Sequence, residues 1–210
     1  MNNHYFEVLP LFSSPVCTTN ISENLSGLSK IISDYDFRPI KIDGSQDVVR
    51  NTYVTKNIRV LEDFPHEKNI LMQYFISYKN NILKLNTTNF KMTTSWGTKT
   101  DANGFSHPHK HQNSIYSGVF YFEDSESAKL EFYSDNTNQI RMNQPTEWNL
   151  YNCKTWSIPP KKNMVVFFPS HLMHRISKNN SSKPRHSLAF NLFPEGLLGE
   201  SDSSINIVIP

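Results

Sequence analysis

What this chain lacks narrows its class before any motif is read. Cysteine is scarce: Cys17 and Cys153 are the only two in 210 residues, and their separation forms no CxxC pair. That is too little for a disulfide framework, so a reducing, cytoplasmic setting is expected. No apolar run approaches the roughly 20 residues that cross a bilayer, so no membrane span is expected. No run of Lys and Arg exceeds two residues and the net charge is only +2. Neither a nucleic acid nor an anionic membrane surface is therefore expected as a partner. The first residues, Met-Asn-Asn-His-Tyr-Phe-Glu, lack the basic-then-apolar order of a signal peptide. Internal repeats are absent.

What is present suits one aromatic-rich β domain. Aromatic residues make up 12% of the chain within a modest 37% of apolar ones, and large side chains fill half-buried strands well. We expect a single domain over 1–210, with a helical and irregular support region to residue 87, a β core over 88–195 and a tail over 196–210. Residues 5–12 read as a short strand broken by Pro10. Leu25, Leu28, Ile31, Ile32 and Tyr35 recur at helical spacing and predict a helix over 24–35. Residues 38–58 read as irregular, with Asp43-Gly44 as a turn. A second helix is expected to start at Asp63 as cap and Pro65 in the first turn, and to run to about 83. From residue 88 the period becomes two: short strands over 90–96, 116–122, 129–133, 147–158, 164–168, 172–177 and 187–193 alternate with turn clusters. Such spacing predicts a double-sheet jelly roll or barrel. Ile205–Ile209 reads as a pairing strand or an ordered tail.

One stretch concentrates chemistry. His107, His109 and His111, three of the eight histidines, fall within five residues and run into the apolar segment Tyr116–Phe122. In extended backbone His109 and His111 project to one face. Two neutral imidazoles there form half of a first-row transition-metal site, with His174, after Phe168-Pro-Ser170, as the candidate third ligand. His171 and His186 alternate away from that face, and His107, followed by Pro108, is left out. Arg185 stands eleven residues beyond His174, with Ser187 on the same strand face. Trp96 is assigned to the core in preference to the substrate side of the barrel, Lys161-Lys162 to a solvated turn, and Asn113, Ser114 and Asn191 to turns and a strand end.

Taken in order, three motifs carry a resemblance. His109-Lys-His111-Gln-Asn113-Ser114-Ile-Tyr-Ser117-Gly118-Val-Phe-Tyr121 resembles HxHxNSxxSGVxY, Phe168-Pro-Ser-His-Leu-Met-His174 resembles FPSxxxH, and Arg185-His-Ser187-Leu-Ala-Phe190-Asn191 resembles RxSxxFN. Together they are similar to the Fe(II)/2-oxoglutarate-dependent dioxygenases, and more narrowly to the prolyl-hydroxylase-like 2-oxoglutarate oxygenases of bacteria and phages. The resemblance implies a mainly β, double-stranded β-helix (jelly-roll) fold with two supporting N-terminal helices. It implies that His109, His111 and His174 hold Fe(II), and that Arg185, Ser187 and Tyr121 hold 2-oxoglutarate, with O2 as the oxidant. A planar guanidinium grips a carboxylate in two-point fashion better than an ammonium. The implied activity is hydroxylation, with an amino-acid side chain of a peptide or protein, or a small molecule, as substrate. A homodimer is compatible with this reading, as is a host cytoplasm if the chain is phage-encoded.

One position departs from the pattern. The superfamily's second ligand is Asp or Glu, and here it is His111. Either three histidines bind, or one of the pair stands behind the metal, or Glu123 or Asp124 completes the site. Two other readings stay open: a three-histidine, cupin-like oxygenase that uses no 2-oxo acid, and a non-catalytic metal-binding or virion-associated jelly roll. Neither has use for an anion clamp at Arg185.

Overall fold

Alternation with period two builds most of the molecule. The computed structural model describes residues 6–41, 48–134 and 144–209. Its regular elements, in order, are β1 (Cys17–Asn20), α1 (Lys30–Asp34), β2 (Phe37–Lys41), β3 (Val48–Thr55), α2 (Pro65–Asn81), β4 (Asn89–Thr100), β5 (Tyr116–Tyr121), β6 (Leu130–Tyr133), β7 (Thr155–Ile158), β8 (Met164–Pro169), β9 (His174–Ile176), β10 (Arg185–Leu198) and β11 (Ile205–Ile207). The strands form an eight-stranded sheet in the order β1-β8-β5-β10-β4-β3-β2, with β11 on β10, and a three-stranded sheet β7-β6-β9. All named pairs are antiparallel. This is the jelly-roll double-stranded β-helix with a few helices on one side.

Each central strand sorts its residues between two cores. Phe120, Val165, Phe167, Leu188, Phe190 and Leu192 face the helices and join Leu28, Ile31, Leu71 and Phe75. Their odd-even neighbours Val119, Tyr121, Val166, Phe168 and Ala189 face the small sheet and join Leu130 and Phe132. Because side chains alternate faces along a strand, this second layer, between the sheets, also receives Arg185, Ser187 and Asn191 of β10.

The helical side is dense. Phe75 of α2 is fully buried, with ring centroids 5.2 Å from Phe90 and 5.7 Å from Tyr116 and Phe167. Removing so large a buried ring costs about 3–5 kcal/mol. The motif glycine Gly118 is explained by the same layer. A Cβ there would lie 2.3 Å from the Phe190 ring, so only glycine lets that ring cross β5.

Five local expectations change. Residues 6–12 form no strand: Phe6, Leu9, Leu11 and Phe12 are exposed, because β1 already takes the edge of β8. Residues 38–58 are not wholly irregular, since β2 and β3 extend the large sheet beyond β4; the Asp43-Gly44 turn lies outside the described residues. Asp63 does not cap α2. Phe64 is the N-cap, without a side-chain bond, and the Asp63 carboxylate instead accepts from the Tyr35 hydroxyl. The strand expected over 147–158 shrinks to β7, while β10 runs to Leu198, five residues past its expected end at 193.

Candidate active site

Backbone pairing brings His109 and His174 together. Each residue's N–H donates to the other's carbonyl, at 2.9 and 3.0 Å. A directly opposed antiparallel pair projects both side chains to one face. His111 follows two residues later, tied by its own N–H to the Ser170 carbonyl at 3.0 Å. Asn113 then turns the chain into β5 in the left-handed region, φ 55°, which asparagine tolerates better than most residues. One potential ligand nitrogen from each of the three rings lies within 4.8 Å of the others. His174 is buried, His111 half-buried and His109 exposed.

The hydrogen bonds fix which nitrogen each ring offers. His109 Nδ1 lies 2.9 Å from the His107 carbonyl, His174 Nδ1 2.8 Å from the Leu172 carbonyl, and His111 Nδ1 2.6 Å from Asn191 Oδ1. A carbonyl oxygen can only accept, so each Nδ1 carries the hydrogen and each Nε2 keeps a free lone pair. Burial, reinforced by the neighbouring His109, pushes the His111 pKa down to about 4. Burial, then His109 and His111, takes that of His174 to about 3. Near neutral pH both rings are uncharged and able to ligate.

On the same inner face, towards the other end of β10, sits a buried cation. Arg185 is 2% exposed. Its NH1 nitrogen donates to Ser187 Oγ at 2.9 Å, and its guanidinium lies 4.8 Å from the Tyr121 ring centroid. Arg185 Nε, the Tyr121 hydroxyl and Thr100 Oγ1 are buried without a hydrogen-bond partner. Thr100 is paired with Arg185, and Tyr121 with Ser187, across the sheet, so all four side chains share one face. Burial lowers the Arg185 pKa and raises that of Tyr121. Buried donors without acceptors are expensive, and an anion with two or more oxygens would complete this group. The residues present thus fit both groups that the motifs imply, a metal on three nitrogens and an acid at Arg185. A surface cavity of about 520 Å³, lined by Glu123, Asp124, Lys183 and Arg185 among others, opens at the cation's end and does not reach the imidazoles.

The alternatives for the third ligand separate cleanly. Glu123 accepts from the His186 N–H at 2.8 Å and Asp124 from the Lys162 N–H at 2.7 Å, so neither belongs to the imidazole cluster. Trp96 packs against the core between the sheets, as expected, and its ring centroid also lies 5.5 Å from that of His111, so it borders the site. Two participants were not anticipated. Asn191, read as a strand terminus, lies inside β10 and holds His111. Trp156 of β7 pairs with Phe132, which pairs with His174. All three therefore share the inward face, and Trp156 remains 43% exposed.

The fold and site define a class: jelly-roll proteins that set an imidazole cluster and a buried arginine between two sheets. Residues 94–191 match the family model described as "Putative 2OG-Fe(II) oxygenase". Over these 98 of its 210 residues the chain resembles that family, an enzyme class that uses Fe(II), 2-oxoglutarate and O2. Among solved structures it is similar to a prolyl hydroxylase from Trichoplax adhaerens in complex with a hypoxia inducible factor oxygen degradation domain peptide fragment (13% identity, 87% of this chain and 85% of that one, TM-score 0.59). It is also similar to a Pseudomonas putida prolyl-4-hydroxylase (11% identity, 87% and 94%, TM-score 0.53). A third is HygX from Streptomyces hygroscopicus with nickel and 2-oxoglutarate bound (9% identity, 86% and 83%, TM-score 0.55). At these identities the structures speak for the fold alone. No curated protein matches the sequence. Among the described residues no helix is long and apolar enough to cross a membrane.

Proposed function

We propose that this protein is a 2OG-Fe(II) oxygenase that hydroxylates an amino-acid side chain of a peptide or protein, with His109, His111 and His174 as the Fe(II) ligands and Arg185, Ser187 and Tyr121 as the 2-oxoglutarate cradle. The observation that carries the cradle is the group of buried, unsatisfied donors, Arg185 Nε and the Tyr121 hydroxyl, on the same sheet face as Asn191, which touches His111. Arg185 binds the distal carboxylate through its fork, Ser187 orients the guanidinium, and Tyr121 adds a hydroxyl donor. Ala189, the small residue between Ser187 and Asn191 on the inward row, leaves room for the carbon chain of the acid. When bound, the metal activates O2 with the 2-oxo acid as the electron source. The protein's part is to hold these groups in register and keep water from the anion.

The substrate side is the open, exposed edge. His109 is exposed, Trp96 lies beside His111, and Trp156 stands two strands from His174 on the same face, about 10 Å away at the usual strand spacing. Two aromatic walls flanking the metal position suit an apolar side chain presented by an extended peptide. The prolyl hydroxylases of the same fold make a prolyl residue the favoured target. Both cysteines are free thiols, which supports a reducing, cytoplasmic location.

The test is anaerobic titration of 2-oxoglutarate into Fe(II)-loaded protein, following the visible metal-to-ligand charge-transfer band. The band is expected in wild type, weakened in Arg185→Ala and lost in His174→Ala. A band that is unchanged in Arg185→Ala refutes the cradle, and one that survives His174→Ala refutes the ligand set. Proline-containing peptides are then expected to raise succinate release and gain one oxygen by mass. If peptides of every sort leave succinate release at its basal rate, the peptide-substrate reading is wrong.

A further inference from the structure

Of the three imidazoles, His109 and His174 are oriented by backbone carbonyls, and His111 by side chains alone. Asn191 Oδ1 approaches His111 Nδ1 at 2.6 Å, and Ser117 Oγ lies 2.9 Å from both atoms. Two contacts accompany this orientation of the Asn191 amide. Its Nδ2 donates to Thr94 Oγ1 at 3.1 Å, and the Ser117 hydroxyl donates to its Oδ1. Ser117 is in turn 2.8 Å from Ser170 Oγ, which donates to Ser114 Oγ at 2.9 Å. All three serines belong to the sequence motifs. The pairing of β10 with β4 also slips by one residue between Asn191 and Leu192. Such a bulge re-aims the side chain beside it.

We infer that Asn191 is a positioning residue that locks His111 in its Nδ1–H tautomer and so makes it a neutral third ligand where relatives of this superfamily place a carboxylate. The inference rests on His111 being a ligand, as proposed above. A histidine in a solvent-facing loop exchanges between tautomers, and in the Nε2–H form it has no lone pair for a metal. The Asn191 carbonyl oxygen admits only the productive form. Being an amide rather than a carboxylate, it does so without drawing the proton off or adding charge. Thr94 accepts the amide N–H from behind in this orientation; a turned amide would present N–H to His111 and select the wrong tautomer.

The experiment compares full-length wild type, His111→Ala, Asn191→Leu, Asn191→Asp and Thr94→Val. Co(II) affinity is read by competition with a chromophoric chelator, alongside the Co(II) visible spectrum. Before metal is added, long-range ¹⁵N-histidine NMR reads the tautomer of His111. Outer partners of this kind are typically worth about 10–100-fold in metal affinity. Asn191→Leu is expected to weaken Co(II) binding by that factor and to populate Nε2–H. Thr94→Val should move the same way by less. Asn191→Asp, isosteric and still an acceptor, should restore wild-type affinity or exceed it, because a carboxylate raises imidazole basicity. A purely structural residue would instead lose affinity in Leu and Asp alike. The inference is overturned if Asn191→Leu binds Co(II) within about twofold of wild type, or if wild-type His111 is Nε2–H before metal is added. Should Asn191→Leu fail to fold, weaker binding in Thr94→Val than in Asn191→Asp carries the same point, and the reverse order overturns it. If His111→Ala binds as wild type does, the ligand assignment itself has failed, and this inference falls with it.

Discussion

Arg185 should separate stability from function with opposite signs. In the ligand-free chain the guanidinium is 2% exposed, carries one bond to Ser187, and leaves Nε unpartnered. Among the described residues no carboxylate pairs with it. Its desolvation is offset by that bond, by the Tyr121 side chain, whose ring face is worth about 2 kcal/mol when desolvated, and by the charge of Glu123 nearby. Replacing a buried, poorly compensated charge by an apolar residue of similar length is commonly neutral or stabilising by about 1–4 kcal/mol. Arg185→Met without co-substrate should therefore melt no more than about 3 °C below wild type, given roughly 2–4 °C per kcal/mol in a chain of this size. With Ni(II) present, 2-oxoglutarate at 100 times its Kd should stabilise wild type by about 2.7 kcal/mol, roughly 5–11 °C. In Arg185→Met that shift should vanish, because truncating a buried charged pair costs about 2–5 kcal/mol of binding, some 30-fold to several-thousand-fold in Kd. Differential scanning fluorimetry with a 2-oxoglutarate series reads both quantities. The reasoning is refuted if the variant keeps the ligand-dependent shift, or if it loses about 3–5 kcal/mol with no ligand present.

Further outcomes follow from other parts of the molecule. Gly118→Ala forces a methyl to 2.3 Å from the Phe190 ring; overpacking of this sort costs about 1–3 kcal/mol, and Gly118→Ala combined with Phe190→Leu should recover part of it in urea unfolding. Trp156→Ala should leave the 2-oxoglutarate charge-transfer titration within about twofold of wild type while raising the KM for any proline-containing peptide that stimulates succinate release; an unchanged KM removes Trp156 from the substrate wall. Chelating the metal from loaded protein should cost about 2.7 kcal/mol of stability at 100-fold saturation, lowering the melting temperature by roughly 5–11 °C, and should do nothing to His174→Ala; an equal drop in both means that the metal sits elsewhere.

Much of this could be read from the residues because the site is built from short motifs whose period matches a strand. His109 and His111, and Arg185 and Ser187, are two apart, and parity alone put each pair on one face. Asn191 has the same parity as Arg185 and was missed only because β10 was expected to end near 193, which made Asn191 look terminal. Trp156 could not have been found this way. Its inward direction depends on the register of β7 against β6, across a connection of more than 20 residues whose closure no local pattern encodes. The strands β2 and β3 escaped for a different reason: their side chains alternate weakly in burial, since they extend a sheet edge rather than span the core. The exposed apolar stretch 6–12 misled in the opposite direction. Hydrophobic alternation predicts a strand only where an unpaired edge is free to receive it.

A single strand carries both the arginine and the asparagine behind His111, and that makes β10 a caliper. From Arg185 to Asn191 is six residues, all pairing in register with β5 between 187 and 191, so the jaws of the caliper cannot drift. Nor can they be reset smoothly. Moving the arginine by one position turns it onto the helix-facing side, among Leu188 and Phe190, and moving it by two changes the opening by about 6.6 Å at once. With the proposed cradle, the length of acid accepted is therefore stepped rather than tunable, and finer adjustment must come from side-chain reach, as between arginine and lysine, or from the residue at 189. A variant selected for a shorter or longer 2-oxo acid should accordingly carry its changes at 121, 187 and 189 and leave the register of β10 intact.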